Sequence, residues 1–315
     1  MILAATWDTA RLGAASREAL GAAVRLGAAL GDDVALVALG AGGAAEEAGG
    51  YGAAQAFVIE GDHAAAPGES AIAALAELAR ELGARAVLLP ADDQTAGIAP
   101  RLAERLGGTA VTHAVAIDVT DGRPVWTRPI YGGKALAAIS AVSEPVVATL
   151  RRGAFAAAEA TGGTAAVSTR TAPADDGAVE LIATEVPPAG ASLEDAKVIV
   201  AGGGGIGNGD GFAELEELAR LLGGAVGASL VAVDAGWAPP DRQVGLTGKV
   251  VSPDVYFALG ISGASQHLAG IGGAKAVVAV NTDPDAPIFS IARLGVVMDC
   301  RPFVASMIDQ LRSAQ

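Results

Sequence analysis

The sequence predicts an α/β protein of two domains, each a three-layer α/β/α arrangement around a mostly parallel sheet. Three observations predict it. Short apolar runs alternate with segments whose apolar residues recur every three or four positions, the rhythm of parallel strands and their covering helices. Glycine turns follow apolar runs and precede helical ones, as at Gly202–Gly207 and Gly260–Gly263. The length, 315 residues, suits two domains of ordinary size. A joint is expected near Pro187–Ser192. It follows the Gly, Thr, Pro and Asp-rich stretch Thr161–Gly177 and a strand over Val179–Val186. The domains are therefore read as 1–187 and 188–315.

In the first domain, Ser16–Leu30 has helical spacing, with Ser16 as its cap and Leu20, Val24, Leu26 and Leu30 among its apolar positions. Val34–Leu39 is a buried strand bounded by Asp32-Asp33 and Gly40. Ala44–Gly49 is a short helix and Ala56–Ile59 a strand. Glu69–Leu82 is a helix through Ile72, Leu75, Leu78 and Leu82. Ala86–Leu89 is a strand that stops at Pro90, and Ala96–Leu106 is the next helix. Asp92-Asp93-Gln94, following the strand, could line a site and reads more readily as the turn that caps this helix. From Val115 onward only strands are predicted: Val115–Val119, Val125–Tyr131, Leu136–Ser140 and Val146–Leu150, an extension that closes the domain. Trp126–Lys134 is dense in aromatic and basic residues for an acidic chain and suits an interface or a buried edge.

In the second domain, strand Val198–Ala201 runs into Gly202–Gly207 and then a helix over Phe212–Leu222. This matches G-x-G-x-x-G, a dinucleotide-binding signature, though the match comes cheaply in a chain with 43 glycines. The acidic residue expected about 20 positions on is not clearly placed. Asp234, at the end of a strand over Leu230–Val233, comes late. Ala235–Gly248 is a loop too long to be idle in a compact domain. Strand Val255–Ile261 breaks at Ser262-Gly263 into a helix over Ala264–Ala269. Strand Ala276–Val280 then ends at Asn281 and an Asp/Pro-rich turn. Parallel sheets present ligand sites at the carboxyl ends of their strands. Polar residues gather there: Ser262, Gln266, His267, Asn281, Asp283 and Asp299. Ser262 reads equally as a helix cap or as a phosphate contact.

Composition narrows the function. Half of the chain is hydrophobic, yet no apolar run reaches the roughly 20 residues of a membrane span. No membrane insertion is expected. The amino-terminal residues show neither a secretion signal nor an arginine-rich transit segment, so a cytoplasmic protein is expected. Cys300 is the single cysteine, which leaves no internal disulfide and no multi-cysteine metal site. It reads as a small buried hydrophobe. His63 and His113 have no second histidine or cysteine at ligand spacing, so no metal is assigned. A formal charge of −14 argues against nucleic acid. It allows a dinucleotide held by backbone N–H groups. No catalytic triad and no paired carboxylates with a role emerge, which suits a carrier better than a catalyst with its own substrate.

Three long runs carry a family resemblance: Gly227–Lys249 (GASLVAVDAGWAPPDRQVGLTGK), Ser252–Gly270 (SPDVYFALGISGASQHLAG) and Lys275–Phe289 (KAVVAVNTDPDAPIF). The chain resembles the electron-transfer flavoprotein alpha subunit. Leu88–Gly108 and Thr127–Ile139 extend the likeness into the first half. The resemblance implies one half of a heterodimer, with the first domain packing on a beta subunit and a Rossmann-like second domain that binds FAD. Electrons would come from flavin-dependent dehydrogenases or similar donors and leave to a downstream acceptor, with these redox partners meeting the protein transiently. The beta subunit would hold AMP or a second FAD.

By matching positions, the resemblance assigns Ser229, Gln243, Gly245, Thr247, Gly260, Ser262, Gly263, Gln266, His267, Asn281 and Asp299 to FAD. Thr247 falls by flavin N5 and His267 by the pyrimidine carbonyl. Ser262 and the Gly260–Gly263 turn fall at the phosphates, and Asn281 and Asp299 at the adenosine end. Three positions depart from the family. Gly204 and Leu230 stand where it has arginines, and Leu246 where it has a glutamine. Leu230 implies altered flavin tuning, because the missing arginine favours anionic reduced flavin. Arg242 or Lys249 could supply substitute charge, and Arg293 stands where the family often has an acid. A nucleotide-binding structural subunit that has lost flavin redox function is the alternative reading. An NAD-dependent dehydrogenase would explain the glycine run but none of Ser252–Phe289.

Overall fold

The computed structural model describes residues 1–7, 10–40, 42–61, 69–173 and 193–314. The chain divides into two compact units, Met1–Ile130 with Leu136–Val186, and Tyr131–Ala135 with Pro187–Gln315. The strand expected over Val179–Val186, the joint expected at Pro187–Ser192 and His63 lie outside the described residues.

The first unit runs β1 (Ile2–Thr6), α1 (Ala14–Leu30), β2 (Val34–Leu39), α2 (Gly43–Ala48), β3 (Gln55–Glu60), α3 (Glu69–Glu81), β4 (Ala86–Pro90), α4 (Asp93–Leu106), β5 (Thr109–Ala114), β6 (Ala116–Thr120), β7 (Arg123–Ile130), β8 (Ala135–Ser140), β9 (Val146–Leu150) and β10 (Ala166–Thr171). Seven strands pair in the order β10-β3-β2-β1-β4-β9-β5, every pair parallel. Side chains alternate between two cores. Ile2 and Ala4 of β1 pack with Leu20 and Leu26 of α1 and with Ala44 and Ala48 of α2. Leu3 and Ala5 pack with Ile72 and Leu75 of α3 and with Ile98 and Leu102 of α4. That alternation is the three-layer arrangement expected.

Several local expectations change. β1 was not anticipated, although it sits inside the sheet and is buried throughout. A strand buried on both faces has no polar alternation to reveal it. Ser16 is not the cap of α1. Gly13 holds that position, and the Ser16 hydroxyl is buried 2.7 Å from that of Thr6. Asp92 does cap α4. Its carboxylate accepts from the Thr95 N–H at 2.7 Å, and the Thr95 hydroxyl receives the Asp92 N–H in return, which is a capping box. The strand-only stretch splits in two. β5 and β9 join the parallel sheet, whereas β6, β7 and β8 form a separate three-stranded sheet. β6 and β7 pair antiparallel across Asp121-Gly122, both at positive φ. Asp-Gly is the pairing such a two-residue hairpin favours.

The second unit runs β11 (Val198–Gly202), α5 (Asp210–Leu221), β12 (Ala225–Ala228), α6 (Leu230–Asp234), β13 (Val255–Leu259), α7 (Ser265–Ile271), β14 (Ala276–Asn281), β15 (Leu294–Val297) and α8 (Cys300–Ser313). Its sheet is parallel in the order β12-β11-β13-β14-β15. Chain order reverses between β11 and β13, and such a switch point opens a crevice at the strand ends. Phe212 and Leu215 of α5 and Val304 of α8 cover one face, and Ile271 of α7 covers the other with Val244 and Val251. The strand expected over Leu230–Val233 is instead the short helix α6. Ser229 starts it, its hydroxyl accepting from the Ala232 N–H at 3.4 Å, and the strand lies just before, at β12. No described helix is long and apolar enough to cross a membrane.

Candidate functional site

The crevice at the β11/β13 switch point opens into a cavity of about 660 Å³, a size typical of cofactor and small-molecule sites. Segments following four strands wall it. Gly204 and Gly205 follow β11, and Ser229–Val231 follow β12. Gly260–Ala264 follow β13 and lead to Gln266 and His267 on α7. Asn281, Asp283 and Ala286 follow from β14. The loop Gln243–Thr247 completes the wall. This loop enters the fold by pairing Gln243 beside Ala228 and Val244 beside Lys249, so the stretch too long to be idle serves as one side of the cavity.

Two glycine turns press together at the base. The Gly205 N–H donates to the Gly260 carbonyl at 2.9 Å. A Cβ on either residue would meet the other's backbone at 2.7 Å. Gly263, at φ +86, would place a Cβ 2.4 Å from the Ile288 nitrogen. The backbone thus forms the wall itself. Among the described residues, the N–H groups of Ser262, Gly263 and Ala264 have no hydrogen-bond acceptor.

Side chains supply the rest of the polar surface. The Gln243 amide donates to the Thr247 hydroxyl at 3.0 Å, leaving the threonine proton available. The Asn281 side chain bridges Ile261 and Asp283, donating to the first carbonyl at 2.9 Å and accepting from the second N–H at 3.0 Å. Ser262 is exposed and is not a cap, since Ala264 starts α7. His267 is buried, with Nε2 3.0 Å from the hydroxyl of Tyr256. Its Nδ1 has no hydrogen-bond partner. Burial lowers its pKa to about 4 against a weaker opposing pull from the Val244 backbone. The ring is therefore neutral at pH 7.

Ten of the eleven residues assigned on sequence line this one cavity: Ser229, Gln243, Gly245, Thr247, Gly260, Ser262, Gly263, Gln266, His267 and Asn281. Asp299 does not. It caps α8, accepting from the Arg301 N–H at 2.9 Å. The departures Gly204, Leu230 and Leu246 all line the wall. Among the described residues, no lysine or arginine does. Arg242 is paired with Glu216 at 2.6 Å and Lys249 with Glu194 at 3.6 Å. Sequence reasoning passed over Val231, Val244, Ile261 and Ala286, apolar lining residues without a chemical signature. Cys300 is buried beside the glycine turn, its Sγ 3.4 Å from the Gly205 carbonyl, as a small hydrophobe would be.

Comparison with known proteins bears on both units. Residues 192–272 match the electron transfer flavoprotein FAD-binding domain, and residues 1–175 match the electron transfer flavoprotein domain. The electron transfer flavoprotein subunit alpha of Paracoccus denitrificans is 41% identical over 306 residues, covering 95% of this chain and 96% of that one. That of Syntrophomonas wolfei is 39% identical over 287 residues, 90% of each chain. That of Mycobacterium leprae is 41% identical over 268 residues, 83% of this chain and 82% of that one. The cavity fits an FAD on its own terms. Close-packed glycine turns bring bare N–H groups to where a diphosphate needs them.

Proposed function

This chain belongs to the electron transfer flavoprotein alpha-subunit family, and from that premise we propose how its second unit serves the flavin. FAD is the cofactor of its FAD-binding domain, and the bound isoalloxazine supplies one- and two-electron transfer chemistry. The residues of the cavity bind and orient it. The N–H groups of the Gly260–Gly263 turn, with the Ser262 hydroxyl, take the diphosphate. Thr247, held by Gln243, and His267 take the ring, with Gly245 admitting it closely. Asn281 takes the adenosine end, and Ser229 and Gln266 contribute from the rims of α6 and α7. The observation that carries this reading is the convergence of ten separately assigned residues on one cavity of cofactor size.

The chain works with a beta subunit as a heterodimer, the first unit packing on it, and exchanges electrons with flavin-dependent dehydrogenases or similar donors and a downstream acceptor. The wall differs from the family pattern at Leu230, Leu246 and Gly204, so it offers the reduced ring no fixed positive charge. This protein's flavin is accordingly tuned to a lower one-electron potential than its arginine-bearing relatives. An absorption spectrum of the chain co-purified with its beta subunit tests the reading. Stoichiometric flavin bands are expected. A well-folded dimer that takes up no FAD when supplied would move the assignment to a nucleotide-binding structural subunit.

A further inference from the structure

We propose that Gly270 is a positioning residue for the cavity. Having no side chain, it lets the backbone of the Gln243–Thr247 loop seat directly on α7, and that seating sets where Thr247 stands. The seating follows from the geometry of this unit alone. Its consequence for a bound ring rests on the flavin reading above.

Gly270 is buried in the last turn of α7 and does not itself line the cavity. A Cβ added to it would lie 2.5 Å from both the nitrogen and the Cα of Gly245, and 3.0 Å from the Gly245 carbonyl carbon. Non-bonded carbons rest about 3.5–4.0 Å apart, so a side chain here requires the loop to recede by about 1 Å. The backbone of Gly270 is not at positive φ. Its conformation therefore does not call for glycine, and alanine is the better helix former. The close approach is what calls for it. Hydrogen bonds fix the seating on either side of the contact. The Leu246 N–H donates to the Gln266 carbonyl at 2.8 Å, and the Val251 N–H donates to the Gly270 carbonyl at 2.8 Å. Within the loop, the Gly245 N–H donates to the Lys249 carbonyl at 3.1 Å and the Lys249 N–H to the Gln243 carbonyl at 2.7 Å. The loop is folded on itself and moves as one piece.

The consequence falls on the cavity. The loop carries Gln243, Gly245, Leu246 and Thr247 into the wall, and α7 carries Gln266 and His267. The contact of Gly245 with Gly270 therefore sets the separation of two sides of the cavity. Thr247 stands two residues beyond Gly245, its hydroxyl accepting from the Gln243 amide at 3.0 Å. Hydrogen bonds span about 2.7–3.2 Å. A shift of about 1 Å is enough to carry the Thr247 hydroxyl out of reach of a ring atom. Gly270 acts only through the loop that rests on it.

The test is amide hydrogen exchange of the full chain without FAD, followed by titration with FAD. In the native chain the Leu246 and Val251 amides are expected to be protected. A Leu246 amide that exchanges as fast as an unstructured one would overturn the proposal. Gly270→Ala is expected to speed exchange at Leu246 by about tenfold or more while the amides of β14 keep their native protection. It is also expected to raise the dissociation constant for FAD by about tenfold or more, the loss of one well-placed hydrogen bond. Native exchange at Leu246 in the variant overturns the proposal, and so does a speeding of all these amides alike, which is what a merely structural role would give. Should the variant not fold, the Leu246 amide of the native chain decides the matter, its protection for and its free exchange against. The FAD titration separates the two readings. If the native chain takes up no FAD while Gly270→Ala still frees the Leu246 amide, the seating stands and the flavin assignment fails. If FAD binds native chain and variant alike, the flavin assignment stands and the role of Gly270 fails.

Discussion

Leu230 opens α6 in the cavity wall, and its side chain is 48% exposed. An arginine there would bring a charged donor to the ring. A hydrogen bond from a charged group contributes about 1.5–3 kcal/mol, or on the order of 60–130 mV for one electron, given about 59 mV per tenfold change. Leu230→Arg is expected to raise the flavin's one-electron potential towards the low end of that range, because the position is half open to water. A reductive titration against reference dyes reads it, and an unmoved potential would sink the tuning argument. His267 predicts a pH effect. Its pKa is about 4 in the fold against an ordinary 6.5. Between those values the unfolded chain takes up a proton that the folded chain refuses, so acid favours unfolding. The contribution is complete above about pH 6.5 and is lost as pH falls towards 4, amounting to about 3 kcal/mol. Denaturant melts of the native chain and His267→Gln across that range should converge at low pH. Parallel curves would refute the assignment. At this scale the residues in the runs Gly227–Lys249 and Ser252–Phe289 were legible one by one. Asp299 was not, because a carboxylate before a helix can serve a ligand or its own backbone, and here it serves Arg301.

Elements were read well where they had a period and poorly where they had none. The helix Glu69–Glu81 shows its apolar stripe on the surface of the sequence. β1 is uniformly buried, and β12 is four residues of Ala, Val and Gly. The misplacement of α6 has a local cause. Its two valines favour a strand by composition, but Ser229 caps the segment into a single helical turn. The turn after β13 carries the prediction belonging to this scale. Gly263 has φ +86, and an added Cβ would lie 2.4 Å from the Ile288 nitrogen. Gly263→Ala forces a left-handed conformation costing about 1–2 kcal/mol and pushes the turn off the segment after β14. It is expected to weaken FAD binding at least tenfold, since a shift of about 1.4 kcal/mol is tenfold, while far-UV circular dichroism stays unchanged. Fluorescence titration with FAD measures this. Native affinity in the variant would show that the turn does not shape the cavity.

For the whole molecule, the balance of charge runs against an anionic dinucleotide. The chain bears −14, and among the described residues its cavity wall has Asp283 but no lysine or arginine. Binding the FAD diphosphate then rests on backbone N–H groups, with the overall field opposing it. Screening removes that opposition. The dissociation constant for FAD is expected to stay level or fall as salt is raised. A constant that rises with salt would mean that cations reach the diphosphate, with Arg242 or Lys249 released from Glu216 or Glu194.

By itself the sequence determined the α/β class, the family and most of the cavity's polar residues, because each is written in a local run whose spacing and residue types survive without coordinates. Only the tertiary structure decided the strand order, which places the switch point between β11 and β13. It alone set Tyr256 against His267 and paired Arg242 and Lys249 away from the wall. Those outcomes depend on which distant segments share a face of the sheet, and residue spacing along a chain does not specify that.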